Sequence, residues 1–257
     1  MKKLVVRTIT GVLVLIASIF FTYKGSFSLL AFLLFLSNVG LYELNIALKK
    51  IGFHQNISLV YIANSIIMVF AMLKNMPAIT GVLIAFSMIT FVSYVLAEKG
   101  KLEDIMAQLF SLIYISIPFS MMFFLESTLF IWLVYICAWG TDTLAYICGS
   151  LFGRHKLIPK VSPKKTVEGA VGGMIGVGLI CFVFASAINS TNILSIVFLG
   201  MIGSLLGQVG DLCASKLKRL SGLKDYGSIF LGHGGVLDRF DSILFTIPYI
   251  YIIYLFI

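Results

Sequence analysis

The sequence predicts an all-α fold: a polytopic integral membrane bundle of about nine transmembrane helices, N-terminus cytoplasmic and C-terminus outside. Three observations predict it. Hydrophobic residues make up 60% of the 257 and charged residues 12%, against roughly 25% charged in a soluble domain. Several apolar runs reach the ~20 residues that cross a bilayer. The Lys and Arg residues collect on alternate connections between those runs.

The spans read, in order, as 5–23, 27–47, 57–73, 77–97, 105–125, 127–151, 167–187, 192–212 and 241–257. Met1-Lys2-Lys3 ahead of the first mimics a signal peptide. No small-x-small cleavage site closes that run; Phe20-Phe21-Thr22-Tyr23-Lys24 follows it. It is therefore expected to stay as the first helix. With the N-terminus inside, 17 of the 19 Lys/Arg face the cytoplasm and only Lys24 and Lys74 face away, as the positive-inside rule requires. No linker, low-complexity segment or internal repeat divides the chain. A single membrane domain, 1–257, is expected, with N-terminal transmembrane helices in 1–126 and the charge-bearing helices and loops in 127–257. The four cysteines, Cys137, Cys148, Cys181 and Cys213, form no CxxC pair or Cys/His cluster and read as small buried hydrophobes.

Charge is concentrated late. Ten of the 19 cations follow residue 150, in the 152–166 and 213–240 loops, which the topology puts on one cytoplasmic face. Between Asp211 and Ser242 stand five Lys/Arg, four Asp, one His and five Gly. A basic loop that only orients the protein would not mix in acids and glycines in this way. Asp142 sits inside span six and Asp211 at the end of span eight. An ionisable group at the centre of a membrane helix costs about 2.5–3.5 kcal/mol, so it faces a polar cavity or a partner. Asp142, Tyr146, Gly149 and Gly153 form one helical stripe. Asp211, Ser215 and Lys218 form another if span eight continues past the membrane surface. Asp238 and Asp241, three apart at the start of span nine, share a face. Converging carboxylates suit a hard divalent cation such as magnesium, although Asp at a helix start also serves as a cap. Gly232-His233-Gly234-Gly235 allows a tight turn with N–H groups turned toward an anion. Lys164 and Lys165 precede the N-terminus of span seven, where anions are favoured. No Walker A pattern is present.

These segments resemble the CDP-diacylglycerol synthase, or phosphatidate cytidylyltransferase, family. The matching residues are Ser215, Leu217, Lys218, Arg219, Lys224, Asp225, Gly227, His233, Gly234, Gly235, Asp238, Arg239 and Asp241, with Asp142-Thr-x-Ala145-Tyr146 and Ser162-Pro-Lys-Lys-Thr-x-Glu168-Gly169 upstream. The likeness is dense from about 139 to 242. The first 125 residues share only their apolar helices. Leu231 departs from the pattern, standing where the family usually has Pro or a small turn-former.

The resemblance implies that CTP and phosphatidate give CDP-diacylglycerol and pyrophosphate with magnesium, for phospholipid biosynthesis. A second cation, monovalent or divalent, is left open. It also implies CTP, phosphatidic acid and the bilayer as partners, a homodimer, and no nucleic acid. Apart from the resemblance, short loops and the lack of an N-terminal extension point to a bacterial inner (plasma) membrane, and the charge-derived topology to a cytoplasmic active site. In this reading Asp211 and Asp238 hold the metal, with Asp241 beside them as ligand or support. Lys218, Arg219 and Arg239 contact phosphates. Lys164, Lys165, Lys224, His233, Gly234 and Gly235 bind the triphosphate or the lipid headgroup. Ser215 and Asp142 position substrate or metal-bound water. The phosphate of phosphatidate is already anionic, so the task is charge neutralisation and alignment rather than proton abstraction. The rival readings are a CTP-dependent lipid-alcohol kinase and a secondary transporter. A scaffold would have no use for the His-Gly-Gly-x-x-Asp-Arg cluster.

Overall fold

Polar side chains at chain reversals begin several of the helices. Asn56 Oδ1 accepts from Leu59 N at 3.3 Å and Asn75 Oδ1 from Ala78 N at 3.0 Å. Thr166 Oγ1 accepts from Gly169 N at 3.1 Å. Each satisfies an amide that a new helix leaves without an internal partner. The computed structural model describes residues 2–97, 100–230, 232 and 234–256. Met1, Glu98, Lys99, Leu231, His233 and Ile257 lie outside the described residues, as do the side chains of 2–8. The readings made for His233, Leu231 and Lys99 therefore fall outside them too.

The helices are α1 (Lys2–Lys24), α2 (Ser26–Lys50), α3 (Ile57–Met72), α4 (Met76–Leu96), α5 (Leu102–Ser111), α6 (Ile117–Leu125), α7 (Phe130–Tyr135), α8 (Thr141–Phe152), α9 (Val167–Ala187), α10 (Ile193–Leu220) and α11 (Leu237–Phe256). A π-helical turn at Leu112–Ser116 joins α5 to α6, and another at Ile136–Gly140 joins α7 to α8. The first lies just before Pro118, which has no N–H to continue the ladder. Among the described residues, seven helical stretches are long and apolar enough to cross a membrane: Ser26–Lys50, Met76–Leu96, Leu102–Leu125, Phe130–Phe152, Val167–Ala187, Ile193–Leu220 and Leu237–Phe256. The other two predicted spans coincide with shorter apolar helical stretches, Ile9–Lys24 and Ile57–Met72.

Two local features differ from the sequence reading. The basic 152–166 connection folds as a hairpin of β1 (Lys156–Ile158) and β2 (Ser162–Thr166), antiparallel, with Lys156 opposite Thr166 and Ile158 opposite Ser162. Its open end is fastened by Val167 N donating to His155 O at 2.9 Å. Pairing between the strands satisfies backbone groups that neither helix can reach. Second, α10 runs on past residue 212 to Leu220, so much of the expected 213–240 loop is helix and the true connection is 221–236.

The chain forms two compact units. One comprises Met1–Ser127 with Leu220–Arg239. Inside it, buried Asn64 donates from Nδ2 to Ser37 Oγ (2.9 Å) and Asn38 Oδ1 (3.2 Å), joining α3 to α2. Ser111 Oγ donates to Gln55 Oε1 at 2.9 Å. Such bonds hold apolar helices in register where hydrophobicity alone does not distinguish partners. The other unit comprises Thr128–Arg219 with Phe240–Ile257. Here small residues set the spacing. A Cβ on Gly169 would stand 2.7 Å from Ala145 O, and one on Gly173 3.0 Å from Ala145 Cβ. The backbones of α8 and α9 can therefore approach only because side chains are missing there.

Candidate active site

The second unit gathers charge around the C-terminal half of α10. The helical period places Asp211, Ser215 and Lys218 on one face, and the extension of α10 keeps that face continuous. Ser215 Oγ donates to Asp211 Oδ1 at 3.1 Å. Lys165 Nζ, from β2, pairs with Asp211 Oδ2 at 2.5 Å. Lys164, its neighbour on the strand, projects from the opposite side and is exposed. Arg219 Nε donates to Val161 O at 3.3 Å, tying the end of α10 to the hairpin.

Asp241 enters from α11 and is buried, at 6% exposure. Its Oδ1 accepts from Ser242 N at 2.8 Å. Asp211, Asp142 and Lys218 all lie within electrostatic reach of it. The approach of α11 to α10 depends on Gly210. A Cβ there would meet Asp241 O at 2.7 Å and the Phe245 ring at 2.9 Å. Farther along, Gly207 faces Thr246 and Ser242, and Gly203 faces Cys137. Thr141 Oγ1 donates to Ser204 Oγ at 2.7 Å, which fixes the start of α8, and so Asp142, beside α10. Gln208 Nε2 donates to Ala170 O at 3.1 Å and ties α9 to the same helix. In the Asp142 stripe, Gly149 and Gly153 abut Thr166, while Tyr146 is 77% exposed.

The first unit holds the remaining motif residues. Asp238 Oδ2 accepts from Tyr226 N at 2.8 Å and Gly235 N at 2.9 Å. Phe230 N donates to Gly234 O at 3.0 Å, closing the loop's tip. Gly232 and Gly234 have φ of +77° and +81°, left-handed conformations that only glycine adopts without strain. Lys224 and Asp225 are exposed, Arg239 is half-buried and Gly235 is buried. The 221–236 connection is therefore shaped by an acid of the motif itself, acting on backbone amides.

A model of the Cytidylyltransferase family matches residues 5–257. The chain is 35% identical over 257 residues to the phosphatidate cytidylyltransferase of Staphylococcus epidermidis (strain ATCC 35984), covering 95% of this chain and 96% of that protein. It is 34% identical over 255 residues to that of Staphylococcus haemolyticus, with the same coverage. It is 34% identical over 256 residues to that of Staphylococcus aureus strain COL, again covering 95% and 96%. The chain belongs to the cytidylyltransferase family.

For a cytidylyltransferase, the site chemistry is that of carboxylates and cations. Among the described residues, no three Asp, Glu, His or Cys side chains form a ready-made metal cluster. Asp211 and buried Asp241, which feel one another's charge, are the kind of oxygen donors used by a hard cation that keeps waters and takes further oxygens from phosphates. Two acids were given no role by the sequence reading: Glu168, noted only as part of the motif, and Glu43, not singled out at all. Glu168 accepts through Oε2 from Arg154 N (3.0 Å) and through Oε1 from His155 N (3.2 Å), and pairs with His155 Nδ1 at 2.6 Å. It clamps the hairpin to the start of α9. Glu43, the single acid of α2, is 3% exposed and accepts from Val236 N (3.0 Å) and Leu237 N (2.9 Å). The signal for Glu43 was its isolation in an apolar span, which by itself marks a residue with a task.

Proposed function

We propose that this chain is a phosphatidate cytidylyltransferase. A phosphate oxygen of phosphatidate attacks the α-phosphorus of CTP. The bond from that phosphorus to the bridging α–β oxygen breaks, and pyrophosphate leaves with the electron pair. CDP-diacylglycerol is the lipid product. Membership of the family and the names of relatives about 34% identical across 95% of the chain support the reading. The observation that carries it is the cluster of Lys165, Asp211, Ser215, Lys218 and Asp241 in an otherwise apolar protein. Such a cluster suits the joining of two anions, which needs neutralisation and in-line alignment more than a strong base.

In this proposal Lys165, Lys218, Arg219 and Arg239 neutralise phosphate charge, while Lys164, Lys224, His233 and the Gly234-Gly235 backbone complete the nucleotide or headgroup site. Asp142 and Ser215 orient substrate and water. Asp211 and Asp241 are assigned to magnesium; Asp238, whose carboxylate is turned onto Tyr226 N and Gly235 N, is kept as a further proposed ligand on the sequence motif alone. Bound there, the ion would offset the charge of the triphosphate and of the departing pyrophosphate. A second cation remains part of the proposal, as does a homodimer. The acyl chains would stay in the bilayer while the headgroup meets CTP at the cytoplasmic face of a bacterial plasma membrane.

The test uses purified protein in mixed micelles with phosphatidate and CTP labelled at either the α- or the γ-phosphate. The α-label is expected in a lipid and the γ-label in pyrophosphate. Transfer of the γ-label to a lipid would instead identify a CTP-dependent lipid kinase.

A further inference from the structure

We propose that Glu43 is a positioning residue: a strap from α2 that holds the glycine-rich 221–236 connection in the shape that receives CTP, an inference that rests on the function proposed above. The start of a helix presents amides without internal partners, usually met by a side chain one to three residues away. In α11 the nearby acid, Asp238, is turned back onto Tyr226 N and Gly235 N. The amides of Val236 and Leu237 are met instead by Glu43, one by each carboxylate oxygen, from 193 and 194 residues away in the chain. Two acids thus hold four backbone N–H groups, three in the 221–236 connection and one at the first residue of α11, and those of 235, 236 and 237 are consecutive.

The glycines of the motif fit around this strap. A Cβ on Gly227 or on Gly235 would fall into the Glu43 carboxylate. Neither residue is among the glycines with positive φ, so a side chain at either position would conflict with the place of the Glu43 carboxylate, which it would have to displace, and not with the backbone conformation. The whole arrangement lies in one compact unit. A carboxylate placed in an apolar helix at such solvation cost is accounted for by the loop it organises.

The test is Glu43→Gln, which keeps the shape but sets an amide NH₂ against one of the two N–H groups. In wild-type protein, hydrogen–deuterium exchange is expected to show protected amides at Val236 and Leu237. In the variant, protection should be lost there and across 226–237, with the helices of the other unit unchanged. Steady-state kinetics on folded, monodisperse enzyme should show kcat/KM for CTP lower by about 10- to 100-fold, as for a lost hydrogen bond to a charged group. KM for phosphatidate should stay within about twofold of wild type on the same basis. Unchanged exchange at 236–237, unchanged CTP kinetics, or equal loss toward both substrates would overturn the strap. If Glu43→Gln does not fold, Gly227→Ala, which displaces the same carboxylate, must reproduce the CTP-selective loss or the proposal falls. Wild-type enzyme silent toward both substrates would count against the proposed function, leaving the exchange measurement to decide the strap.

Discussion

Asp211 illustrates how single residues are held here. One carboxylate oxygen meets a hydroxyl one turn along its own helix, the other a lysine brought in by a β-strand. The hydroxyl partner was readable from the i, i+4 spacing. The lysine was readable only as a cation near a helix start, since the choice of Lys165 over Lys164 depends on which side of a strand each occupies. Thr166 makes a sharper prediction at this scale. Its Oγ1 caps α9 through Gly169 N, so Thr166→Ala should lower stability by about 1 kcal/mol. Thermal unfolding in detergent would check this, and an unchanged midpoint would remove the cap. Glu43 marks the limit of residue-level reading. Its isolation in an apolar span was visible, but its partners lie nearly 200 residues away, and no local pattern connects them.

Among elements, glycine spacing decides which helices meet. Gly210 leaves no room for a side chain between α10 and the Asp241–Phe245 segment of α11. Gly210→Val should therefore force the two helices apart, costing about 1–3 kcal/mol, and reduce turnover because Asp211 and Asp241 separate with them. Gly207→Ala serves as a comparison, since its Cβ would stand 3.2 Å from Thr246 Cγ2, a side-chain methyl. Equal midpoints for Gly210→Val and wild type would refute the close approach. Helix identity was legible throughout because the apolar runs are long. The continuation of α10 was legible as a condition of the Asp211-Ser215-Lys218 stripe. The hairpin was not, because strands of three and five residues, one followed at once by Pro159 and the other containing Pro163, carry too few alternations to register as a period. The π turns were equally silent, since their apolar composition matches that of the helices they join.

For the molecule as a whole, composition announced a membrane protein, and the described helices accord with it. Orientation is a prediction from charge. Single cysteines introduced at Lys24 and Lys74, in a background without the four native cysteines, should react with an impermeant maleimide added outside intact cells. Cysteines placed at Lys164 and Lys224 should react only after permeabilisation. Labelling of all four from one side would overturn the nine-span topology. The dense motif made the family legible because its charged residues stand out between apolar spans, whereas in the apolar first half a residue such as Glu43 shows its task only through distant partners.

The most direct test of the central claim compares wild type with Asp211→Asn, measuring cytidine label entering lipid and pyrophosphate released in the same reaction. Wild type should yield the two in equal amounts, stop in EDTA and resume with magnesium. Asp211→Asn should insert and unfold like wild type yet lose about 1,000-fold or more in rate, the scale of losing a principal electrostatic group. Near-normal turnover by the variant, or wild-type turnover undiminished in EDTA, would contradict the account.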